Sequence, residues 1–127
     1  MNKGIEFIKT FIKSDKQERL LYELQNPKKR ENIFWRFAGS DIFKEGCLQE
    51  TDYMSADDLE AKLYQLSKSR EVFYIGSSSV GEISLKKAVE KASLGEICVI
   101  YCGNGKGYYQ GEQEVAKTPR YILTQKL

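Results

Sequence analysis

Near the start of the chain, apolar residues recur every three or four positions, as they do along one face of an α-helix. This spacing predicts a helix over residues 3–13, whose apolar members are Ile5, Phe7, Ile8, Phe11 and Ile12. Ser14 followed by Gln17 fits a capping box and predicts a second helix, which Pro27 terminates. The N-terminal third is therefore predicted to be helical.

Two further helices are predicted where an N-capping serine precedes a stripe of apolar residues. Ser55 precedes Asp57 and Asp58, whose charges suit the positive end of a helix dipole. Ser84 begins the second of these helices, and Gly95 ends it. The stripes are Leu59, Leu63 and Leu66 in the first, and Leu85, Ala88, Val89 and Ala92 in the second.

Four stretches have the composition of β-strands: residues 33–37, 71–75, 96–102 and 120–124. In the first, alternation predicts that Ile33, Trp35 and Phe37 face the core. The third is nearly all apolar, which is typical of a central strand covered on both faces. Residues 38–54 are polar with weak alternation, and we expect a loop there with at most one short edge strand.

Strands that alternate with helices favour an α/β fold, because a helix is the usual crossover between strands of one sheet. We predict a small mixed four-stranded sheet packed by three or four helices, with an α+β arrangement as the alternative. A chain of 127 residues has the size of one domain, so we expect residues 1–127 to form one. No apolar run has the length of a membrane helix or of a secretory signal, so we expect a cytoplasmic protein.

Histidine is absent from the 127 residues, which excludes a Ser-His-Asp or Cys-His nucleophile and a zinc site that contains histidine. The three cysteines, Cys47, Cys98 and Cys102, are expected to be buried thiols rather than a disulfide or a metal site. We predict no cofactor and no enzymatic activity. An enzyme that uses a cysteine or a carboxylate pair such as Glu112 with Glu114 is the least favoured alternative.

The net charge of +2 is unevenly distributed along the chain. Residues 41–60 hold seven acidic side chains and one basic side chain, Lys44. Such a segment can simply keep a loop solvated, or it can form a docking surface for a basic partner such as a nuclease, with Tyr53 and Met54 as apolar anchors. The acidic residues predicted to bind this partner are Asp41, Glu45, Glu50, Asp52, Asp57 and Asp58.

The stretch from Gly103 to Glu114, GNGKGYYQGEQE, has the most unusual composition in the chain. We expect a long hairpin loop, with two alternatives: a phosphate cradle, or a binding surface. The stretch contains neither of the two standard phosphate-binding glycine motifs, which weighs against the phosphate cradle. The binding surface would present Asn104, Lys106, Tyr108 and Tyr109 to the partner.

A second class of function rests on the basic residues Lys28, Lys29 and Arg30, which lie just before Trp35. Basic side chains interleaved with aromatic rings can bind single-stranded nucleic acid. Together with Lys106, they define the alternative of a nucleotide- or RNA-binding regulatory domain. We rank it below a protein partner, because the net charge is low and Trp35 is predicted to be core.

In its charged α/β character, its acidic stretch ETDYMSADD and its glycine-tyrosine stretch GNGKGYYQGE, the chain resembles the small bacterial immunity proteins paired with polymorphic or contact-dependent toxins. The resemblance implies a non-enzymatic inhibitor that binds its cognate toxin domain and blocks the active site or its access to substrate. We also expect a monomer or a weak dimer with no membrane partner.

Overall fold

Five helices and six strands make up the part of the chain that the computed structural model describes, residues 2–113 and 118–125. The helices are α1 (Lys3–Phe11), α2 (Ser14–Gln25), a 3₁₀ helix (Arg30–Phe37), α3 (Ala56–Ser67) and α4 (Leu85–Ser93). The strands are β1 (Leu48–Glu50), β2 (Glu71–Gly76), β3 (Val80–Ser84), β4 (Cys98–Gly103), β5 (Lys106–Gln110) and β6 (Arg120–Thr124). None of the described helices has the length and the apolar character that a membrane crossing needs.

The strands form one open sheet in the order β1-β6-β5-β4-β2-β3, and every neighbouring pair is antiparallel. Helices and strands share one small fold, as predicted, but the predicted mixed four-stranded sheet with three or four helices is wrong: the described residues form six antiparallel strands and five helices, an α+β arrangement. Two hairpins, β2–β3 and β4–β5, account for the strands that the sequence pattern missed, β3 and β5. β1 is the short edge strand expected between residues 38 and 54.

Helices cover both faces of the sheet, and successive side chains of each strand point to opposite faces. On one face, which we call the first core, the strand residues pack against α1, α2 and the 3₁₀ helix. On the other, the second core, they pack against α3 and α4. The strand residues of the first core are Phe73, Ile75, Val99, Tyr101, Tyr109 and Leu123, and those of the second are Val72, Tyr74, Cys98, Ile100, Cys102, Tyr108 and Ile122.

Helix caps predicted from sequence are confirmed at two of three sites. Ser55 and Ser84 each accept a hydrogen bond from the backbone N–H three residues ahead, at 3.2 Å. Gly95 has the positive φ of a helix stop, 88°. The predicted capping box at Ser14 is wrong, because Ser14 is already helical and Gln17 donates its side-chain amide to the carbonyl of Ile12 instead, at 2.8 Å.

The segment predicted as the first strand is the 3₁₀ helix. Ile33 and Phe37, four positions apart, are 1% exposed and point into the first core. Trp35 lies between them in sequence and faces outward with 58% of its surface exposed, so the prediction that it belongs to the core is wrong. A helical turn separates positions that a strand would place on one face, and this is the physical reason for the difference.

The glycine-tyrosine stretch is a hairpin with a tight turn, and the prediction of a long loop is wrong. Asn104 and Gly105 form the turn with φ of 55° and 71°, which is the geometry of a two-residue type I′ connection. The strand that follows is internal to the sheet, and Tyr108 and Tyr109 are 2% and 1% exposed. Neither tyrosine can therefore present its ring to a partner, as a binding surface would require. Glu114 lies outside the described residues.

Gly107 provides a test of this hairpin. A Cβ atom at this position would overlap the carbonyl oxygen of Ile100 on the neighbouring strand. We expect Gly107→Ala to lower the free energy of unfolding by about 1–3 kcal/mol, the usual cost of overpacking. Gly39→Ala is the control, because the added Cβ would meet only the side chain of Asp41, at 3.2 Å. Urea denaturation of both variants measures the difference, and equal stabilities would contradict the β4–β5 register.

Candidate functional site

The acidic residues between positions 41 and 58 lie at separate places in the fold. Asp41 lines a cleft beside Trp35, on the α2 and 3₁₀ side of the molecule. Glu45 precedes the edge strand β1, Glu50 ends it, and Asp52 follows it. All four acidic side chains are exposed. Asp52, Asp57 and Asp58 therefore belong to the segment that joins β1 to the first turn of α3, whereas Asp41 lies in the cleft beside Trp35 and Glu45 precedes β1.

We call the group that follows β1 the acidic edge, and its members are Asp52, Tyr53, Asp57 and Asp58. Tyr53 is 66% exposed, so most of this large ring faces solvent. The guanidinium of Arg120, on β6, lies 5.1 Å from the centre of the Tyr53 ring and contacts it as a cation–π pair. A large aromatic side chain is thereby held in place at the surface.

The carboxylates of the acidic edge have a rigid support, because two of them stand on the first turn of α3. Asp58 donates its backbone N–H to the Ser55 hydroxyl, and Asp57 and Asp58 carry their charge near the positive end of the helix dipole. Among residues 2–113 and 118–125, neither of these carboxylates nor that of Asp52 forms an ion pair. Their charge is therefore available to a partner.

A second exposed surface surrounds Trp35 and has the opposite charge. We call it the Trp35 surface, and its members are Lys16, Arg19, Lys28, Lys29, Trp35 and Arg36. Two clefts, of about 320 and 480 Å³, lie against Trp35 and share it as a wall. Sequence reasoning noted Lys28, Lys29 and Trp35 but placed the ring in the core, so it missed this surface.

The Trp35 surface is held by a two-pronged ion pair. Arg36 donates from Nε and Nη2 to the two carboxylate oxygens of Glu23 on α2, at 3.0 and 2.6 Å. The hydrogen bonds from Arg36 lower the pKa of Glu23 below its ordinary value, so the carboxylate stays charged. Phe34 packs against Trp35 with ring centres 4.7 Å apart. The Phe34 ring therefore covers part of the tryptophan ring, of which 58% of the surface remains exposed.

The structure separates the cations that the nucleotide-binding hypothesis grouped. Arg30 donates to the carbonyls of Leu24 and Val80, so its guanidinium joins α2 to β3. Lys106 begins β5 beside the last residue of β4, at the other end of the sheet. Along the strands, about five residues, roughly 15 Å, separate the level of Val80, which Arg30 contacts, from the level of Lys106. Asn104 and Lys106 do not line the clefts beside Trp35. Lys106 pairs with Thr124 at one end of β6, whereas the acidic edge follows Glu50, which pairs with Tyr121 near the other end.

A polar cluster centred on Glu96 links the β2–β3 turn to the start of β4. The Glu96 carboxylate accepts hydrogen bonds from the hydroxyls of Tyr74, Ser77 and Ser78, the last two at 3.1 and 2.9 Å. Lys91 donates to the Ser78 hydroxyl at 3.0 Å. Burial of the Tyr74 phenol raises its pKa, so it remains a donor. The hydroxyls are engaged in holding the turn.

The three cysteines are free and buried, as predicted. Burial raises the pKa of the Cys98 thiol to about 12 and that of the Cys102 thiol to about 11. At neutral pH both remain thiols, the unreactive form of cysteine. In the described part of the chain, no group of three or more cysteine, aspartate or glutamate side chains is placed to hold a metal ion.

Alkaline pH should destabilise the fold, since burial raises the pKa of several acidic groups above their values in an unfolded chain. The ordinary pKa is 10.0 for a tyrosine and 9.0 for a cysteine. The groups with a raised pKa are Tyr74, Tyr101, Tyr108, Tyr109, Cys98 and Cys102. Between about pH 9 and pH 12 the unfolded chain loses protons that the native protein keeps. Stability is therefore complete below pH 9 and falls as pH rises, by up to about 1.4 kcal/mol per pH unit for each such group.

Urea denaturation between pH 7 and pH 11 measures this loss, and absorbance at alkaline pH reports tyrosine ionisation. We expect at least four of the eight tyrosines to stay protonated until the chain unfolds. Ionisation of all eight in a protein that keeps its native circular dichroism would contradict the buried positions of these rings.

Compared with protein-family models, with curated proteins and with solved structures, the chain has no match. The acidic edge and the Trp35 surface are therefore the features of this chain on which a function can be proposed.

Proposed function

We propose that this protein binds a basic protein partner through the acidic edge, and that the partner is a toxin domain, nuclease-like in its charge, which binding neutralises. One observation carries the proposal: Tyr53, 66% exposed, stands among carboxylates that no ion pair neutralises within the described residues. Tyrosine is among the residues that contribute most to binding at protein interfaces. Exposed charge around such an anchor speeds encounter with a partner of opposite charge.

Preorganisation strengthens the case for binding at this surface. The contact with Arg120 limits the motion of the Tyr53 ring, and the hydrogen bond to Ser55 fixes the start of α3. Side chains that are already ordered lose less conformational entropy when a partner arrives. The acidic edge therefore has the properties of a surface prepared for association.

A nuclease is the partner class that this charge suits. Enzymes that bind nucleic acid neutralise the phosphate backbone with lysine and arginine side chains. Carboxylates presented on a rigid helix start can occupy the same basic groove and exclude the substrate. The resemblance to immunity proteins leads to the same proposal, and an inhibitor of this kind would act in the cytoplasm of the cell that produces it.

Charge reversal at the acidic edge tests whether its carboxylates attract the basic partner. A tagged protein is first used to isolate a stoichiometric protein partner from nuclease-treated lysate, and binding kinetics are then measured on the purified pair. We expect Asp52→Lys with Asp57→Lys to lower the association rate constant by about 10-fold or more and to weaken its dependence on salt. Because Asp57 also stabilises α3, by about 0.3–1 kcal/mol, Asp52→Lys alone is measured in parallel.

The matched control is Glu82→Lys with Glu90→Lys, which makes the same change in charge on exposed positions of β3 and α4. If both double variants slow association equally, net charge rather than the acidic edge governs binding, and the surface assignment fails. Absence of a stoichiometric protein partner from the nuclease-treated lysate of the source cell would overturn the proposal as a whole.

Truncation of the aromatic anchor should act on dissociation. We expect Tyr53→Ala to raise the dissociation rate constant by about 30-fold, which corresponds to the roughly 2 kcal/mol typical of an interface hot spot. Tyr22→Ala is the control, because Tyr22 is 57% exposed on α2. Equal dissociation rates for the two variants would show that Tyr53 does not contact the partner.

A further inference from the structure

Trp35 is the single tryptophan of the protein, and the Trp35 surface leaves it without a covering side chain over most of its area. Burying a tryptophan removes more apolar surface from water than burying almost any other side chain. Here the flanking residues Ile33 and Phe37 are buried while Trp35 is 58% exposed. Core packing therefore does not account for the exposed part of this ring.

The clefts on the two sides of Trp35 are both lined by cations. In the first, Lys28, Lys29 and Arg36 stand against one carboxylate, Glu23, which Arg36 already pairs. Within the described residues, neither lysine forms an ion pair. A negatively charged group in this cleft would meet two unneutralised ammonium groups beside the ring.

The second cleft is lined by charges of both signs, and within the described residues Lys16 is its one cation that forms no ion pair. Lys16, Arg19 and Arg36 line it, together with the carboxylates of Asp15 and Asp41. The Arg19 guanidinium approaches Glu23 at 3.7 Å, while Arg19 itself remains exposed. Because Lys28 and Lys29 line one cleft and Lys16 lines the other, an extended ligand that fills both clefts would meet an unpaired ammonium group on either side of the group that contacts Trp35.

We propose that the Trp35 surface binds single-stranded nucleic acid, with a base stacked on Trp35 and the flanking phosphates held by Lys28 and Lys29 on one side and by Lys16 and Arg19 on the other. Stacking of bases on exposed aromatic rings, next to cations that follow the backbone, is the usual way in which proteins bind single strands. A duplex fits less well, because its bases are already stacked on one another. An acidic peptide carries the charge but has no base to stack on the ring.

This inference goes beyond the proposed toxin inhibition and uses a different part of the molecule. α2 and the 3₁₀ helix, which carry the Trp35 surface, cover the first core, whereas α3, which carries Asp57 and Asp58, covers the second. The variants that test one surface leave the other intact, so the two proposals fail independently.

Because Trp35 is the only tryptophan, the fluorescence of the unmodified protein reports directly on this surface. We expect a 12-nucleotide oligothymidylate and a 12-nucleotide oligouridylate to quench its emission saturably. If about four phosphates are contacted, the logarithm of the association constant should fall by about 3 per tenfold rise in salt. Absence of quenching, together with absence of binding by anisotropy of a labelled oligonucleotide, would overturn the proposal.

Variants separate stacking from charge, and labelled-oligonucleotide anisotropy measures both. We expect Trp35→Ala to weaken binding by about 5- to 100-fold and Trp35→Phe to restore most of it, since phenylalanine also stacks. The double variant Lys28→Gln with Lys29→Gln should reduce the dependence on salt. We expect the slope of the logarithm of the association constant against the logarithm of salt concentration to become shallower by about 1.4. Thermal melting of the lysine variant should be nearly unchanged, because both lysine side chains are exposed. Trp35→Phe is the stacking variant to compare with it, because the packing of Trp35 against Phe34 makes Trp35→Ala change stability as well.

The charge-matched control is Lys86→Gln with Lys87→Gln, an exposed lysine pair on α4. An equal loss of affinity in this control would show diffuse attraction by net charge and would overturn the assignment. Polyglutamate is added as a competitor, and displacement of the oligonucleotide at equal charge concentration would mean that the surface takes an acidic protein instead.

Discussion

Every residue of β4 is buried, because helices cover both faces of the sheet at this strand. A strand with two apolar faces must be enclosed on both sides, since leaving either face in water would forfeit the burial that stabilises the fold. α1 and α2 enclose one side, and α3 and α4 enclose the other. The faces of the sheet at its centre are thereby unavailable to a partner, which leaves the outer surfaces of the helices, the turns and the sheet edges.

Enclosure of the sheet also separates the charged surfaces. The acidic edge follows the edge strand β1, and the Trp35 surface lies on the helical layer over the first core. The net charge of +2 averages the two and describes neither. The acidic edge also has a protective role, because a three-residue edge strand followed by carboxylates is a poor template for pairing with another chain. Such protection accounts for the charge but leaves the exposure of Tyr53 unexplained.

Two stretches show why composition misled the sequence analysis. In residues 33–37, strand alternation and helical spacing both bury Ile33 and Phe37, and they differ only in where they place Trp35. Nothing within those five residues decides between the two. In the glycine-tyrosine stretch the deciding signal was present: Asn104-Gly105 is the dipeptide most typical of a tight hairpin turn, and apolar strand residues precede it. A loop assignment for the whole glycine-rich stretch therefore overlooked the turn, and with it the burial of Tyr108 and Tyr109 in the strand that follows.

The sequence by itself determined the features whose partners lie within one turn: the caps at Ser55 and Ser84 and the helix stop at Gly95. It also indicated that β4 is covered on both faces, because the continuous apolar run is carried by the strand itself. Only the tertiary structure decided the strand order, the exposure of Trp35 and the separation of the acidic residues. The reason is the distance in sequence between the groups involved. The hydrogen bonds from Arg30 to Val80 and from Tyr109 to Phe37 join residues 50 and 72 positions apart. A cap is satisfied by its own neighbours, whereas the position of a surface depends on contacts that exist only once the whole sheet has formed.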